Sequence, residues 1–411
     1  MKLAMLMFGI LGVLYMVYHG LILLIGALKK LPEMPVVTPT KRFSVLIPAR
    51  NEENVLPNLI ASLLAQHYPR ELYDVFVLPN NCTDDTEGAA LRSGANVIPI
   101  REKVQSKGEV LRIAFQELEP KGYDGYLIFD ADNLVDPGFL QAANDAMCAG
   151  YQVGQGYRDS KNPGDNWVAG CTSVFFWFMN RLFNRSRAAL GMSAHLNGTG
   201  ILLGARMIRE HGYNVHSLTE DQEYTAICAL AGEKIAWMPR AVTYDEQPTR
   251  LRDSMIQRRR WAAGTRQCFA GYAGRLYRGF FTYSACRDVA LHFTGVPMQL
   301  LSFVPGILTV VTLIKGIVRE PASGVKNAVI LLTISLVVCF LSGALMVLAV
   351  CLLERRPLKP RFREMCAMGL YIITWLITNL AGFCLKAPGW KAIPHVSTIG
   401  IKDLNGDEHA V

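Results

Sequence analysis

Two carboxylates one residue apart, Asp130 and Asp132, follow the apolar run Tyr126-Leu127-Ile128-Phe129. Such a run reads as a buried strand of a parallel sheet. Positions i and i+2 of an extended segment face the same way. Both carboxylates can therefore address one hard cation, Mg²⁺ or Mn²⁺, together with a diphosphate. Asp-x-Asp alone is also common in solvated turns, so its neighbours decide its weight. In Leu218-Thr219-Glu220-Asp221, Asp221 is a candidate general base for a hydroxyl, and its acidic neighbours Glu220 and Glu223 would raise its pKa. Thr219 and Glu220 equally suit a helix start. Gln257-Arg258-Arg259-Arg260-Trp261 sets three guanidinium groups beside an indole, a combination suited to a diphosphate leaving group and to stacking on a sugar ring. A bare charge run of this kind also serves as a solvated helix face or a membrane-surface cluster.

The elements that must position these groups are legible in outline. The run Phe43-Ser44-Val45-Leu46-Ile47-Pro48 reads as a first strand ending in Ala49-Arg50-Asn51-Glu52, with a helix to about Gln66. Residues 74–78 form a second strand ending in Asn80-Asn81-Cys82-Thr83-Asp84-Asp85-Thr86, which suits a turn and a helix N-cap. A short strand is expected at 96–100, and Lys107-Gly108 opens another helix before the Asp130 strand. Strand–helix alternation at this rhythm predicts βαβ units and a parallel sheet. Ligands of such sheets bind at the C-terminal strand edge, where Arg50, Glu52, Asn80, Asp130 and Asp132 would meet. Arg50 with Glu52 also makes sense as a surface ion pair, and Asn80 with Asn81 as turn chemistry. Residues 154–164 read as a polar, glycine-containing loop. Residues 167–190 suit a helix on the membrane surface or over the acceptor site, or one packed on the domain's own core. Asn197-Gly198-Thr199-Gly200 reads as a tight turn before a strand at 201–203.

The composition places this domain at a membrane. The 411 residues are 51% hydrophobic and 18% charged, against about 25% charged in soluble domains. The apolar excess lies in four uncharged runs, at 3–28, 289–314, 327–353 and 365–385, each longer than the roughly 20 residues that cross a bilayer. Lys29, Lys30, Lys41 and Arg42, and later Arg355, Arg356, Lys359, Arg361 and Arg363, should be cytoplasmic. The domain between the first two spans is then cytoplasmic too, in a multi-pass protein of a bacterial cell membrane. The net charge of +8 fits an anionic membrane surface and an anionic substrate and calls for no nucleic acid. Ten scattered cysteines without a Cys-x-x-Cys pair argue against a disulfide framework or a zinc site. The expected organisation is an anchor (1–30), a linker (31–42), an α/β domain (43–265), an interfacial helix (266–288), transmembrane helices (289–385) and a tail (386–411). Four spans put the tail outside, yet Pro388-Gly389-Trp390-Lys391 and Pro394-His395 read as a docking segment. Docking on the domain would require one span to be re-entrant or a further span besides these four, and Pro297 and Pro305 mark the second as the least regular. Residues 403–411 read as a mobile end.

Taken together, Ile47-Pro48-Ala49-Arg50-Asn51-Glu52, Asn80 to Thr86, Lys107-Gly108, Asp130-Ala131-Asp132, Thr219-Glu220-Asp221 and Gln257-x-x-Arg260-Trp261 resemble the membrane-integrated family 2 glycosyltransferases. That group includes cellulose, chitin, hyaluronan and poly-N-acetylglucosamine synthases and ceramide glucosyltransferases. The resemblance implies a GT-A fold, Rossmann-like with a mostly parallel sheet, and a nucleotide-sugar donor, usually a UDP-sugar. It implies inverting transfer to a growing β-linked polysaccharide or oligosaccharide, or of a single sugar to a lipid. By the same resemblance Ala49, Arg50, Glu52, Asn80, Lys107 and Asp130 approach the nucleotide, and Asp132 binds Mg²⁺ or Mn²⁺. Asp221 is the base, and Gln257, Arg260 and Trp261 hold the acceptor end and the diphosphate. A partner for export or regulation, or a homo-oligomer, would suit a secreted product. Pro79-Asn80 departs from the acidic pair common at that turn. No Phe-x-Val-Thr-x-Lys segment follows Trp261, a departure that counts against long-chain synthesis.

Overall fold

The computed structural model describes residues 2–386 and 399–404. Eight strands form one sheet: β1 (Phe43–Ala49), β2 (Tyr73–Pro79), β3 (Asn96–Val97), β4 (Gly125–Ile128), β5 (Leu134–Val135), β6 (Val153–Ser160), β7 (Ile201–Gly204) and β8 (Ile235–Asp245). Their order is β3-β2-β1-β4-β7-β6-β8-β5. The first four strands of that order are mutually parallel. β7 is antiparallel to both β4 and β6, and β8 is parallel to β6. β1, β2, β4, β6 and β8 therefore all end at the same edge, and that edge carries the site.

The helices are α1 (Lys2–Leu28), α2 (Leu56–Leu64), α3 (Thr86–Arg92), α4 (Lys107–Leu118), α5 (Phe139–Cys148), α6 (Trp167–Phe178), α7 (Arg185–Ala189), α8 (Ala205–His211), α9 (Glu220–Ala231), α10 (Leu251–Arg278), α11 (Ser284–Phe293), α12 (Gly295–Arg319), α13 (Pro321–Leu353), α14 (Phe362–Cys384) and α15 (Ile401–Leu404). The sheet is apolar on both faces. Val45, Ile47 and Leu127 pack toward α2 and α5, and Leu46, Tyr126 and Ile128 pack toward α4. This two-sided burial explains why the strands read as continuous hydrophobic runs.

Residues 154–160 are strand, not the expected loop. Gly154 and Gly156 are there because neighbours come close: a Cβ would meet Met238 Sδ at 2.8 Å and Ala241 O at 2.5 Å. The glycines and polar groups that suggested a loop thus belong to a crowded central strand. The second long apolar segment breaks at Thr294, between α11 and α12, and not at a proline. Helix α12 continues through Pro297, which lies in its first turn, where no intrahelical N–H bond is lost. Residues 266–278 are the C-terminal half of α10. Residues 167–190 form α6, a π-helical turn at Met179–Asn184, and α7.

Among the described residues four helical segments are long and apolar enough to cross a membrane: Gly9–Leu28, Ser284–Arg319, Pro321–Leu353 and Lys359–Cys384. They differ in surroundings. Side chains of α13 such as Val329, Leu332 and Leu341 are exposed, as lipid-facing groups would be. Helix α14 instead lies along the sheet domain. Tyr371 OH meets Thr172 Oγ1 at 2.9 Å, and Arg258 donates to Tyr371 O and Thr374 Oγ1 at 3.3 and 3.1 Å. Its two ends also touch the domain, through Arg361 Nη1 to Pro163 O (2.7 Å) and Arg259 Nη2 to Lys386 O (3.2 Å). Pro388-Gly389-Trp390-Lys391, Pro394-His395 and residues 405–411 lie outside the described residues. Ile399, Ile401 and Leu404 pack on Leu134, Val242 and Tyr244 at the sheet's far edge.

The α10–α14 contact depends on Gly382, where a Cβ would stand 2.5 Å from Ala262 Cβ and 2.8 Å from Arg259 O. Gly382→Leu is expected to cost about 1–3 kcal/mol by overpacking and to lower the thermal midpoint of the detergent-purified protein. An unchanged midpoint would show that α14 is not held at this crossing.

Candidate active site

The strand-edge loops are tied to one another before any ligand is considered. Glu52 N–H donates to Thr86 Oγ1 (3.0 Å), Glu53 N–H to Asp84 Oδ2 (3.2 Å) and Thr83 N–H to Asn51 Oδ1 (2.7 Å). Asn51 and Asn81 adopt positive φ, 59° and 49°, a conformation that asparagine tolerates better than most residues. The Asn80 amide donates to Ala49 O (3.1 Å) and Leu78 O (3.3 Å). That leaves its Oδ1 to accept from a ligand.

Lys107 opens α4 behind its N-cap Ser106, whose hydroxyl accepts Glu109 N–H at 3.2 Å. Its ammonium donates to Asp130 Oδ1 at 2.5 Å and to Gly198 O at 2.8 Å, and lies 3.5 Å from Glu220 Oε1. Burial opposes the charge on both partners. Asp130 and Glu220 nevertheless hold the lysine above its ordinary pKa, and the lysine holds Asp130 below its own. Asp130 N–H donates to Asn133 Oδ1 and Thr199 Oγ1, each at 3.1 Å.

Four further residues complete this floor, and no pattern in the sequence marked them. Arg158, on β6, pairs with Asp245 at the end of β8 and donates to Asn197 O at 2.8 Å. Asp245 also accepts from Asn133 Nδ2 at 2.8 Å. Burial raises its pKa despite Arg158, and the nearby charges of Asp132 and Asp130 raise it further. Glu246 N–H reaches Asp132 Oδ2 at 3.4 Å. The Lys161 ammonium is buried without a hydrogen bond among the described residues, and burial lowers its pKa against the pull of Asp132, Glu246 and Asp245. Recognising β6 and β8 as strands would have placed Arg158 and Asp245 at the edge.

Asp221 stands in the first turn of α9. Its carboxyl is raised to about 7, first by burial and then by Glu220. Glu223 does not contribute as expected: it accepts His216 N–H, Ser217 N–H and Tyr272 OH at 2.8, 2.6 and 2.8 Å. Thr219 is the N-cap residue, but its hydroxyl makes no capping bond and lies against Cys268.

The three arginines of α10 separate. Gln257, Arg260 and Trp261 share one face and line the pocket, as i, i+3 and i+4 must. Arg258 is 1% exposed and binds α14, while Arg259 caps the end of α14. Only one of the three guanidinium groups is therefore available to a diphosphate, which corrects the expectation of a triple cluster.

One cavity of about 1000 Å³ gathers Ala49, Arg50, Glu52, Asn80, Lys107, Asp130, Asp132, Asp221, Gln257, Arg260 and Trp261. It continues past Phe175 and Phe176 of α6 to residues of α1, α11, α12 and α14. The donor set suits a hard divalent cation, because Asp132 is a carboxylate 7% exposed in a net acidic floor. Among the described residues no three His, Cys, Asp or Glu side chains converge on one point. A cation here would complete its shell with phosphate oxygens and water, as Mg²⁺ commonly does.

Residues 39–264 match the family model described as glycosyltransferase-like family 2, and the chain belongs to that family. The sheet and its appended helices form a GT-A fold. Mannosyltransferase PcManGT from Pyrobaculum calidifontis, solved in complex with GDP-Man and Mn²⁺, aligns over 91% of this chain and 99% of its own, with TM-score 0.56 and 18% identity. The chain is 25% identical to the probable glycosyltransferase YdaM of Bacillus subtilis, over 64% of this chain and 66% of that protein. It is 23% identical to a beta-monoglucosyldiacylglycerol synthase of Nostoc sp., over 69% of this chain and 61% of that protein. The chain thus spans somewhat under two thirds of the length of each of these two relatives.

The raised Asp221 carboxyl predicts a stability effect. An acid whose folded pKa lies above its unfolded value binds its proton more tightly when folded. Stability therefore falls as pH rises through the interval from about 4 toward 7. Asp221→Asn should raise the thermal midpoint at pH 8 by a few degrees, and the gain should shrink by pH 5. An equal shift at both pH values would contradict the raised pKa.

Proposed function

We propose that the protein is a membrane-bound inverting glycosyltransferase that moves one hexosyl group from a nucleoside-diphosphate sugar to a hydroxyl of a lipid. The observation that carries this reading is the continuity of the pocket. The cavity that holds Asp132 and Asp221 also reaches Tyr15, Phe293, Val296 and Phe383 of the membrane-segment helices. An acceptor arriving from the bilayer can thus meet a donor arriving from the aqueous side. Elongation of a β-linked polysaccharide uses the same donor chemistry and differs in the acceptor. Single transfer to a lipid requires no export partner.

In this mechanism the nucleotide lies along Ala49, Arg50, Glu52 and Asn80. The free Oδ1 of Asn80 accepts an imide N–H such as that of uracil. Lys107 fixes Asp130 at the floor. Asp132 would hold a divalent cation, Mg²⁺ or Mn²⁺, which when bound would offset charge on the diphosphate. Arg260 meets the same diphosphate, and Gln257 and Trp261 hold the acceptor end. Asp221 takes the proton of the acceptor hydroxyl as the hydroxyl oxygen attacks the anomeric carbon. The bond from that carbon to the phosphate oxygen breaks, its electron pair leaves with the diphosphate, and the configuration inverts. A base with pKa near the working pH combines availability with driving force.

On this reading α1, α12 and α13 cross the bilayer and α14 lies on the domain. Lys29, Lys30, Arg355 and Arg356 then share the cytoplasmic side with the catalytic domain, as the positive-inside rule requires. The contact of Arg356 with Asp159 at 2.5 Å and the docking of Ile399 and Leu404 on the sheet support this topology.

The test is product analysis with the full chain in nanodiscs, Mg²⁺ or Mn²⁺, a panel of radiolabelled nucleotide sugars and total membrane lipid. Label is expected in the organic phase as a singly glycosylated product. Label in high-molecular-weight material without added lipid would overturn the acceptor assignment. Asp221→Asn should keep donor binding and slow transfer by roughly 10²–10⁴-fold. An equal loss of donor binding would make Asp221 a nucleotide contact.

A further inference from the structure

The end of the pocket lined by His195, His292 and residues of α1 is built on different chemistry. Beneath it lies a buried ion pair, Arg187 with Asp288, each 1% exposed. Arg187 Nε and Nη2 donate to the two carboxylate oxygens at 2.8 and 3.3 Å. Asp288 also accepts Tyr18 OH at 3.1 Å and meets His195 Nε2 at 3.1 Å. The carboxylate is thereby saturated and the guanidinium neutralised, so neither charge is left for a ligand. His195 is held by this pair, and its ring stands edge-on to His292 with centroids 4.9 Å apart. Both imidazoles line the pocket. Among the described residues His292 makes ring contacts with Phe183, His195 and Phe293 and no side-chain hydrogen bond, so its ring nitrogens remain available to a ligand.

The wall supplied by α1, α11, α12 and α14 contains no Lys, Arg, Asp or Glu among the described residues. The pocket's cations Arg50, Lys107, Arg158 and Arg260 belong to the catalytic end. A lipid phosphate losing its hydration here would find no cation to replace it, and an unpaired buried charge is costly. A hydroxyl or ester oxygen needs only a donor or acceptor of modest strength, which a neutral imidazole supplies. Burial keeps His195 below its ordinary pKa, so it serves as a hydrogen-bonding group and not as a cation. From His195 the chain runs three residues to Gly198, where a Cβ would lie 3.7 Å from Asp221 Oδ2. A headgroup held at the two histidines is therefore within reach of the base.

We propose that this end of the pocket is a headgroup subsite for an uncharged, hydroxyl-bearing lipid of the diacylglycerol type. His292 and His195 read its oxygens, and the Arg187–Asp288 pair is the fixed support beneath them. The assignment rests on the lipid-acceptor reading and narrows it to neutral acceptors over lipid phosphates. His292 is a specificity residue and takes no part in the transfer step.

The test is equilibrium binding of radiolabelled dioleoylglycerol and dioleoyl phosphatidate to the full chain in detergent micelles, without donor. Dioleoylglycerol should bind about tenfold or more tightly than the phosphatidate. His292→Phe should weaken dioleoylglycerol binding about five- to tenfold, the loss of one hydrogen bond, and leave binding of UDP, the donor-site probe, unchanged. His292→Gln, which keeps a donor and an acceptor, should recover most of the affinity. Phosphatidate binding as tight as the neutral lipid would overturn the subsite and leave the lipid reading standing. Wild-type affinity in His292→Phe would overturn the role of His292. Binding of neither lipid would overturn the subsite, and label in high-molecular-weight material in the nucleotide-sugar product analysis would overturn the lipid reading as well.

Discussion

Lys107 sits where strand β4, the Asn197–Gly200 turn and helix α9 converge, and its ammonium is shared among Asp130, Gly198 O and Glu220. Carboxylates from separate elements crowd this sheet edge, and like charges at such range repel strongly in a poorly hydrated site. The lysine makes the arrangement tolerable on one side, and Arg158 does the same for Asp245 on the other. Asp221 is raised first by burial and then by Glu220, and Lys107 and Arg158, both paired with other acids, offset this only in part.

The same economy of placement joins the domain to the long apolar helices. Helix α10 presents Gln257, Arg260 and Trp261 to the cavity while Arg258 is buried against α14. Asp159, two residues before Lys161, receives Trp177 Nε1 at 2.7 Å and Arg356 at 2.5 Å, the latter from the α13–α14 connection. Phe175 of α6 faces Trp375 of α14 with centroids 4.3 Å apart, and both line the pocket. Sheet, cover helix and long apolar helices thus share side chains around one cavity.

The half of the sheet built from β1, β2 and β4 was legible because those strands are buried on both faces and end in polar turns. Their apolar runs, and the groups Arg50, Asn80, Asp130 and Asp132 beyond them, needed no tertiary information. Strand β6 was not legible: Gly154 and Gly156 answer to Met238 and Ala241 across space, and that contact has no local signature. Missing β6 and β8 concealed Arg158 and Asp245, the second cation–acid pair of the floor. The arginine run of α10 was legible as a group but not in its division of labour, which depends on which helix face α14 covers. The apolar character of residues 365–385 was plain from the sequence. That this helix lies along α6 and α10 is a matter of partners such as Thr172 and Arg258, which no window of hydropathy contains.

The central claim is that acceptor and donor meet in one pocket entered from the bilayer. Val296 lines its membrane side and is 4% exposed, so Val296→Trp would obstruct that side without touching the nucleotide groups. The decisive measurement is a comparison of lipid glycosylation with hydrolysis of the same nucleotide sugar in this variant and the unaltered protein. The account predicts loss of lipid product with slow donor hydrolysis retained. Glycosylated lipid formed at the unaltered rate by a folded Val296→Trp protein would contradict it.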